Sequence, residues 1–148
     1  MSKAAAVPFE TTLLVRDHCL CLYVQRAARL LARRFDDALR PVGLTNQQFS
    51  LLMSLNRPAP PPMAPVAALL GIDRTSLTAA LKPLERRGLV AIVPGETDRR
   101  SRLLKLTAAG QDLLAQAVPI WRATHRALDD ELGEGVGDQL RGGLARIA

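Results

Sequence analysis

Residues Met63 to Leu106 read MAPVAALLGIDRTSLTAALKPLERRGLVAIVPGETDRRSRLLKL, and the change of period inside this stretch decides the fold. Met63 to Leu70 is an apolar run of about two helical turns, with Val66, Leu69 and Leu70 expected inward. Gly71-Ile72 makes a turn. Asp73 suits the N-cap of a second helix, in which Leu77, Leu81 and Leu84 recur at four and three residues and which Gly88 is placed to end. Past Gly88 the helical period is lost. Leu89 to Val93 and Arg102 to Leu106 are short β-prone runs around the polar stretch Pro94 to Ser101, which predicts a hairpin with a long charged tip.

Working outward, residues 1–9 are small and unpatterned and are read as a loose arm. From there to Arg40 the residues Leu20, Val24, Ala27, Ala28, Leu31, Phe35, Ala38 and Leu39 fall at three- and four-residue spacing, which predicts one long amphipathic helix. Pro41 and Gly43 stop it. Thr45 and Gln48 form a capping box for the next helix, with Phe49, Leu52 and Met53 on one face and an end near Arg57. Pro58-Ala59-Pro60-Pro61-Pro62 cannot be helical in its interior and reads as a rigid spacer rather than a proline-rich ligand, because it lies between two core helices. Downstream of the hairpin, Thr107 caps a helix carrying Leu114, Ala117, Val118, Trp121, His125 and Leu128 on one stripe, with a bend expected at Pro119. A short helix from about Gly135 to Ile147 follows.

The 148 residues suffice for one good core, and a net charge of +6 favours a polyanionic partner. The segment Asp73 to Lys105 holds eight basic residues against four acidic ones, so most of that excess is local. One Trp, one Tyr and three Phe argue against a stacking platform for single strands or RNA, which leaves duplex DNA as the better polyanion. No apolar run reaches the roughly twenty residues of a membrane span, and the N-terminus lacks the order of a signal peptide, so a cytoplasmic protein is expected. The order of short helix, Gly turn, second helix and charged hairpin composes a winged helix-turn-helix, whose second helix enters the major groove. With the three leucines inward, Thr75, Thr78, Ala79, Lys82 and Arg86 take the opposite face, flanked by Arg74 and Ser76. Arg74 has the fork for a guanine, Thr75 and Thr78 suit a thymine methyl or a phosphate, and Lys82 and Arg86 suit the backbone. The bland alternative is an ordinary solvated face.

Gly43-Leu44-Thr45-Asn46-Gln47-Gln48-Phe49, Leu84-Glu85-Arg86-Arg87-Gly88-Leu89-Val90, Asp98-Arg99-Arg100-Ser101 and Leu106-Thr107-Ala108-Ala109-Gly110, in this order, resemble the MarR family of bacterial regulators. The resemblance runs from about Leu20 to Leu128. It implies a homodimer in which N- and C-terminal helices interleave, and thus a mainly α fold with a small β-hairpin wing. The expected parts are an arm (1–9), a helical dimerisation region (10–40 and 108–148) and a winged helix-turn-helix domain (41–107). The long apolar stripes independently call for a cover, which a second copy supplies. The resemblance makes Arg100 the minor-groove residue and Asp98 its positioning partner, with Arg99 and Arg102 on phosphates. It also marks a departure at Ile92, where many relatives carry a basic residue.

The implied function is sequence-specific binding of a near-palindromic duplex, as a repressor relieved by a small aromatic or phenolic effector. Arg16, His18, Arg26 and Arg29 are candidate ligand contacts, against the plainer reading of solvated or ion-paired side chains. His125 is read as a core histidine. Cys21 falls on the sensing cysteine of the organic-hydroperoxide branch of the family, but Phe35 and Asn46 stand where that branch has tyrosines. Packing as small apolar groups is the expected role of Cys19 and Cys21, whose side chains lie about 200° apart on a helix and do not bridge easily. Thiol-based sensing through Cys21 and sequence-tolerant architectural DNA binding are the rivals. With no phosphate-cradling loop, nucleophile elbow or metal spacing, neither enzyme chemistry nor a cofactor is expected.

Overall fold

The computed structural model describes residues 5–148. Among them the order is α1 (Phe9–His18), α2 (Leu20–Leu39), a 3-10 turn (Arg40–Val42), α3 (Asn46–Leu55), α4 (Met63–Leu70), α5 (Arg74–Arg86), β1 (Val90–Pro94), β2 (Arg102–Leu106), α6 (Ala108–Leu132) and α7 (Val136–Ala145). The mainly α architecture with a hairpin is the one expected. Residues 1–4 of the expected arm lie outside the described residues, and helix begins within that arm at Phe9. The chain forms two units that divide between Arg34 and Phe35, inside α2. Among the described residues no helix is long and apolar enough to cross a membrane.

In the first unit the single long helix predicted from the apolar repeat is interrupted. Cys19 has ψ 101, outside the helical region, and serves both helices at once. Its N–H donates to the Val15 carbonyl (2.9 Å), closing α1, while its own carbonyl accepts from Tyr23 (3.2 Å) and its Sγ from the Leu22 N–H (3.4 Å), opening α2. The thiol thus takes the place of a capping hydroxyl, an arrangement that neither proline nor glycine announces in the sequence. No residue of α1 is buried, and Phe9, Leu14, Val15, Leu20, Tyr23 and Leu30 are exposed.

The second unit is held by local caps and one core. Thr45 accepts the Gln48 N–H (3.1 Å) while the Gln48 side chain accepts the Thr45 N–H (3.1 Å), the predicted capping box. Asp73 caps α5 and Thr107 caps α6 as expected. Leu39, Leu52, Val66, Leu77, Leu81, Leu84 and Leu104 are fully buried. Two inward assignments are corrected. Met53 and Leu69 face solvent, and the helices instead bury Leu51 and Leu55 on α3 and Met63 and Ala67 on α4. Each helix turns its face by the residue or two that a neighbouring element demands.

The proline run is more than a spacer. The Pro61 carbonyl accepts the Leu104 N–H (2.8 Å) and Pro62 bridges Leu103 in antiparallel sense, so the run lies along the free edge of β2. Lacking amide hydrogens, these prolines accept at that edge and offer no donor for a further strand. In the hairpin Val90 pairs with Leu106 and Pro94 with Arg102. Its base is closed by α6, where the start of the helix passes so near the chain after α5 that only glycine fits. A Cβ at Gly110 would lie 2.3 Å from the Leu89 carbonyl oxygen and 2.7 Å from Leu106 Cδ1. Gly110→Ala is therefore expected to destabilise the protein by about 1–3 kcal/mol, the usual cost of overpacking a tight contact. Urea unfolding followed by circular dichroism checks this, as a lower midpoint at unchanged slope.

Candidate nucleic-acid interface

The exposed face of α5 follows from its buried one. With Leu77, Leu81 and Leu84 at zero exposure, the residues between them have nowhere to go but outward. Arg74, Thr75, Ser76, Thr78, Ala79, Lys82 and Arg86 are all exposed, as the wheel predicted. The Thr78 hydroxyl donates to the Arg74 carbonyl (2.9 Å), which leaves its methyl and its oxygen lone pairs outward. Pro83 removes the donor that Ala79's carbonyl would have had, at a residue that is exposed. The heads of Arg74, Lys82 and Arg86 make no hydrogen bond or ion pair among the described residues.

Asp73 accepts the Ser76 N–H at 2.7 Å. That backbone bond, with help from the Ser76 hydroxyl, holds the carboxyl below its ordinary value near 3.8. A depressed folded pKa means that the carboxylate's contribution is complete above the unfolded pKa and is lost as pH falls through the folded one.

At the hairpin tip the expected Asp98–Arg100 pairing takes a different form. Asp98 Oδ1 accepts the backbone N–H of Arg100 (2.9 Å), not its guanidinium. Two residues is the reach of an Asx turn, and the short carboxylate meets the near amide before the long side chain can return. Ser101 donates to the Asp98 carbonyl from its N–H (3.1 Å) and its hydroxyl (2.7 Å), and Gly95 donates to the Ser101 carbonyl (3.1 Å). Asp98 thus shapes the tip and leaves the Arg100 head open. The Arg99 head is likewise unpartnered among the described residues, whereas Arg102 Nη1 returns to the Arg99 carbonyl (3.1 Å) and braces the wing. Ile92 is exposed on β1.

The candidate ligand residues belong to the first unit and each engages its own helix. Arg16 grips Asp17 through Nε (2.6 Å) and Nη2 (2.9 Å), His18 Nδ1 lies 3.1 Å from the Leu14 carbonyl, Arg26 stacks over the Tyr23 ring at 5.0 Å, and Arg29 donates to Gln25 (3.2 Å). His125 is half-buried between Trp121 (4.6 Å between centroids) and Phe35 (4.9 Å), as its place on the apolar stripe suggested. Both cysteines are free. Cys19 is half-buried, and Cys21 is exposed in this chain rather than packed, with Gln25 Nε2 donating to its sulfur at 3.0 Å. Asn46 Nδ2 donates to Asp36 (2.7 Å), as does the Asn46 N–H (2.7 Å), so this amide is turned to α2 and not to a thiol. Sequence reading missed both that link and the Arg87 side chain, whose Nη1 donates to the Gly43 carbonyl at 2.8 Å.

A MarR family model matches residues 42–101, the span from the 3-10 turn to the wing tip. The structure of the transcriptional regulator MosR of M. tuberculosis in complex with DNA is 38% identical, superposes with TM-score 0.78, and is matched over 88% of this chain and 93% of that one. The chain belongs to the MarR family. CouR from Rhodococcus jostii RHA1, solved with p-coumaroyl-CoA, has TM-score 0.76 at 26% identity over 88% of this chain and 92% of that chain. A structure of the transcriptional repressor CouR on a 23-mer duplex has TM-score 0.72 at 30% identity over 97% and 96%. The transcriptional activatory protein BadR of Rhodopseudomonas palustris is 37% identical over 97 residues, 62% of this chain. The chain spans 55% of BadR's length. In this MarR-family chain Arg74 and Arg86 on α5 and Arg99 and Arg100 at the hairpin tip are among the arginines whose heads have no partner among the described residues.

For Asp73, a carboxyl-detected NMR titration is expected to give a midpoint below the roughly 3.9 of a free aspartate. Asp73→Asn, which keeps the acceptor, should lose the part of the acid-induced loss of stability that the carboxylate carries.

Proposed function

We propose that this chain is a sequence-specific transcription regulator that binds a near-palindromic duplex as a homodimer, and that it represses until a small aromatic or phenolic ligand releases it. One observation carries the reading: α5 and the wing present the heads of Arg74, Lys82, Arg86, Arg99 and Arg100, which have no partner among the described residues, beside the exposed Thr75, Ser76 and Thr78. In this reading α5 enters the major groove, with Arg74 on a guanine edge, Thr75, Ser76 and Thr78 on thymine methyls or phosphates, and Lys82 and Arg86 on the backbone. Arg100 enters a narrow minor groove, where the negative potential of A·T-rich sequence favours it. Asp98 fixes the loop that carries Arg100, and Arg99 and the remaining donors of Arg102 meet phosphates.

Dimerisation is supported by the apolar side chains left outside on residues 10–40 and 108–148, among them Leu14, Leu30, Leu140 and Leu144. These regions make the dimer layer, and residues 41–107 the DNA-binding domain. Repression and ligand release are supported by the CouR complexes with DNA and with p-coumaroyl-CoA. Arg16, His18, Arg26 and Arg29 are the candidate contacts for the ligand's anionic end. Arg26 and Arg29 are the readier pair, since each holds a neutral partner and not a carboxylate.

Footprinting and competition binding on the protein's own promoter region test this. The promoter site should outcompete random duplex by roughly a thousandfold or more, with two half-sites and two chains per duplex. Arg100→Ala should weaken binding by about 1–3 kcal/mol for each guanidinium removed from the groove, while the fold is kept. Equal affinity for random duplex sinks the reading in favour of an architectural binder.

A second reading of the control step is favoured by the exposure of Cys21. An organic hydroperoxide would oxidise the Cys21 thiolate to a sulfenic acid, releasing the alcohol. Cys19, the other thiol of the chain, would then displace water to form a disulfide. Cys19 lies at the break between α1 and α2, outside regular helix, so the helical spacing of about 200° does not apply to the pair. Against it, Phe35 cannot donate to a thiol and Asn46 is engaged with Asp36. On the ligand reading, stoichiometric organic hydroperoxide leaves the operator complex intact and Cys21→Ser behaves as wild type. Release of the wild type that Cys21→Ser abolishes moves control to the thiol.

A further inference from the structure

We propose that Arg87 is a positioning residue, which sets the seat of α5 against the duplex without touching it. The inference rests on the DNA-binding reading above. In the sequence Arg87 looks like one more phosphate contact, since it is basic, follows Arg86 and lies in the most basic segment of the chain. Its side chain does something else. Nη1 donates to the Gly43 carbonyl at 2.8 Å, 44 residues back along the chain. Gly43 has φ 67 and its N–H is bound to the Arg40 carbonyl (2.9 Å), so the accepting carbonyl is held by the 3-10 turn that leads into α3. A Cβ on Gly43 would stand 3.3 Å from Arg87 Nη2, so the guanidinium lies against the bare Cα.

The backbone at Arg87 ends α5, with its N–H on the Pro83 carbonyl (3.1 Å). The next residue, Gly88, is held from the other side, its carbonyl accepting the Thr107 hydroxyl at 2.6 Å. Three buried leucines fix how α5 is rotated about its axis. The two tethers fix where its end lies, between the turn before α3 and the start of α6. A charged donor on a carbonyl makes a short directional bond, which suits a tether. Arg86, one residue earlier, has no such partner and is left for phosphate.

The test compares Arg87→Met, which keeps the stem and loses the donors, with Arg87→Lys, which keeps one donor, and with Arg86→Met. Each is titrated against promoter and random duplex over a salt series. Arg87→Met should narrow the promoter-to-random ratio by about tenfold, the size of a poorly read base pair, with random-duplex affinity and salt slope as in wild type. Arg87→Lys should restore most of the ratio. Arg86→Met should instead weaken both duplexes and flatten the slope by about 0.9 for each phosphate that is no longer neutralised. If Arg87→Met behaves like Arg86→Met, or leaves the ratio unchanged, the proposal is overturned.

Amide exchange on the free protein reads the tether without DNA. Leu44 and Leu89 should exchange several-fold faster in Arg87→Met, and unchanged exchange also overturns the proposal. Wild-type protein with equal affinity for both duplexes, alongside faster exchange in the variant, removes the DNA reading and with it the positioning role, while leaving the tether as a feature of the fold.

Discussion

The second unit depends on how closely the start of α6 can approach the chain that leaves α5. The constraint is steric. The Leu89 carbonyl occupies the space of the Cβ that Gly110 lacks, and Thr107 completes the junction by giving its N–H to that carbonyl (3.1 Å) and its hydroxyl to Gly88. Because Val90 pairs with Leu106 at once, the hairpin grows from the same point. Three elements therefore begin or end within one small volume. With that spacing set, Leu81, Leu84, Leu89, Val90, Leu104, Leu106, Leu114 and Ala117 close into one core. A close-packed core of this kind transmits the geometry of the junction to α5 and to the hairpin together.

The basic side chains divide by what they touch. Arg16 and Arg141 hold carboxylates on neighbouring residues of their own helices, Arg26 covers Tyr23, and Arg29 holds Gln25. Exposed pairs of this sort add little stability, so the division matters less for folding than for availability. The heads of Arg74, Lys82, Arg86, Arg99 and Arg100 make no such contact among the described residues. Arg87 and Arg102 stand between the two groups, each with one donor on a carbonyl, and both brace the elements that present the free heads.

Asp98 and Asn46 illustrate how a residue's role is assigned by what comes near it. The Asp98 carboxylate is suited to an arginine and takes a backbone amide instead, because the turn brings that amide first. Asn46 sits where a hydroperoxide sensor has a phenol, yet both of its nitrogens are taken by Asp36 from the helix before it. The part-buried carboxylate gains two donors there, and the start of α3 gains a second anchor beside the Thr45 box.

The features that the sequence alone determined rest on interactions within about four residues. These include the caps at Thr45, Asp73 and Thr107, the leucine face of α5, the strand pair around a charged tip, and with them the family and the polar face of α5. Residue type and spacing dictate such contacts because the backbone brings the partners together in any context. The tertiary structure decided the rest. The Pro61 carbonyl on Leu104, the exclusion of a side chain at Gly110 and the Arg87 reach to Gly43 join residues that only packing makes neighbours. The break at Cys19 is local, but it depends on a sulfur acting as a cap, a weak acceptor role that residue type does not announce. Spacing along the chain encodes which surface each helix hides, whereas the partner it hides against, and hence which side chains remain free, is fixed only when the elements meet.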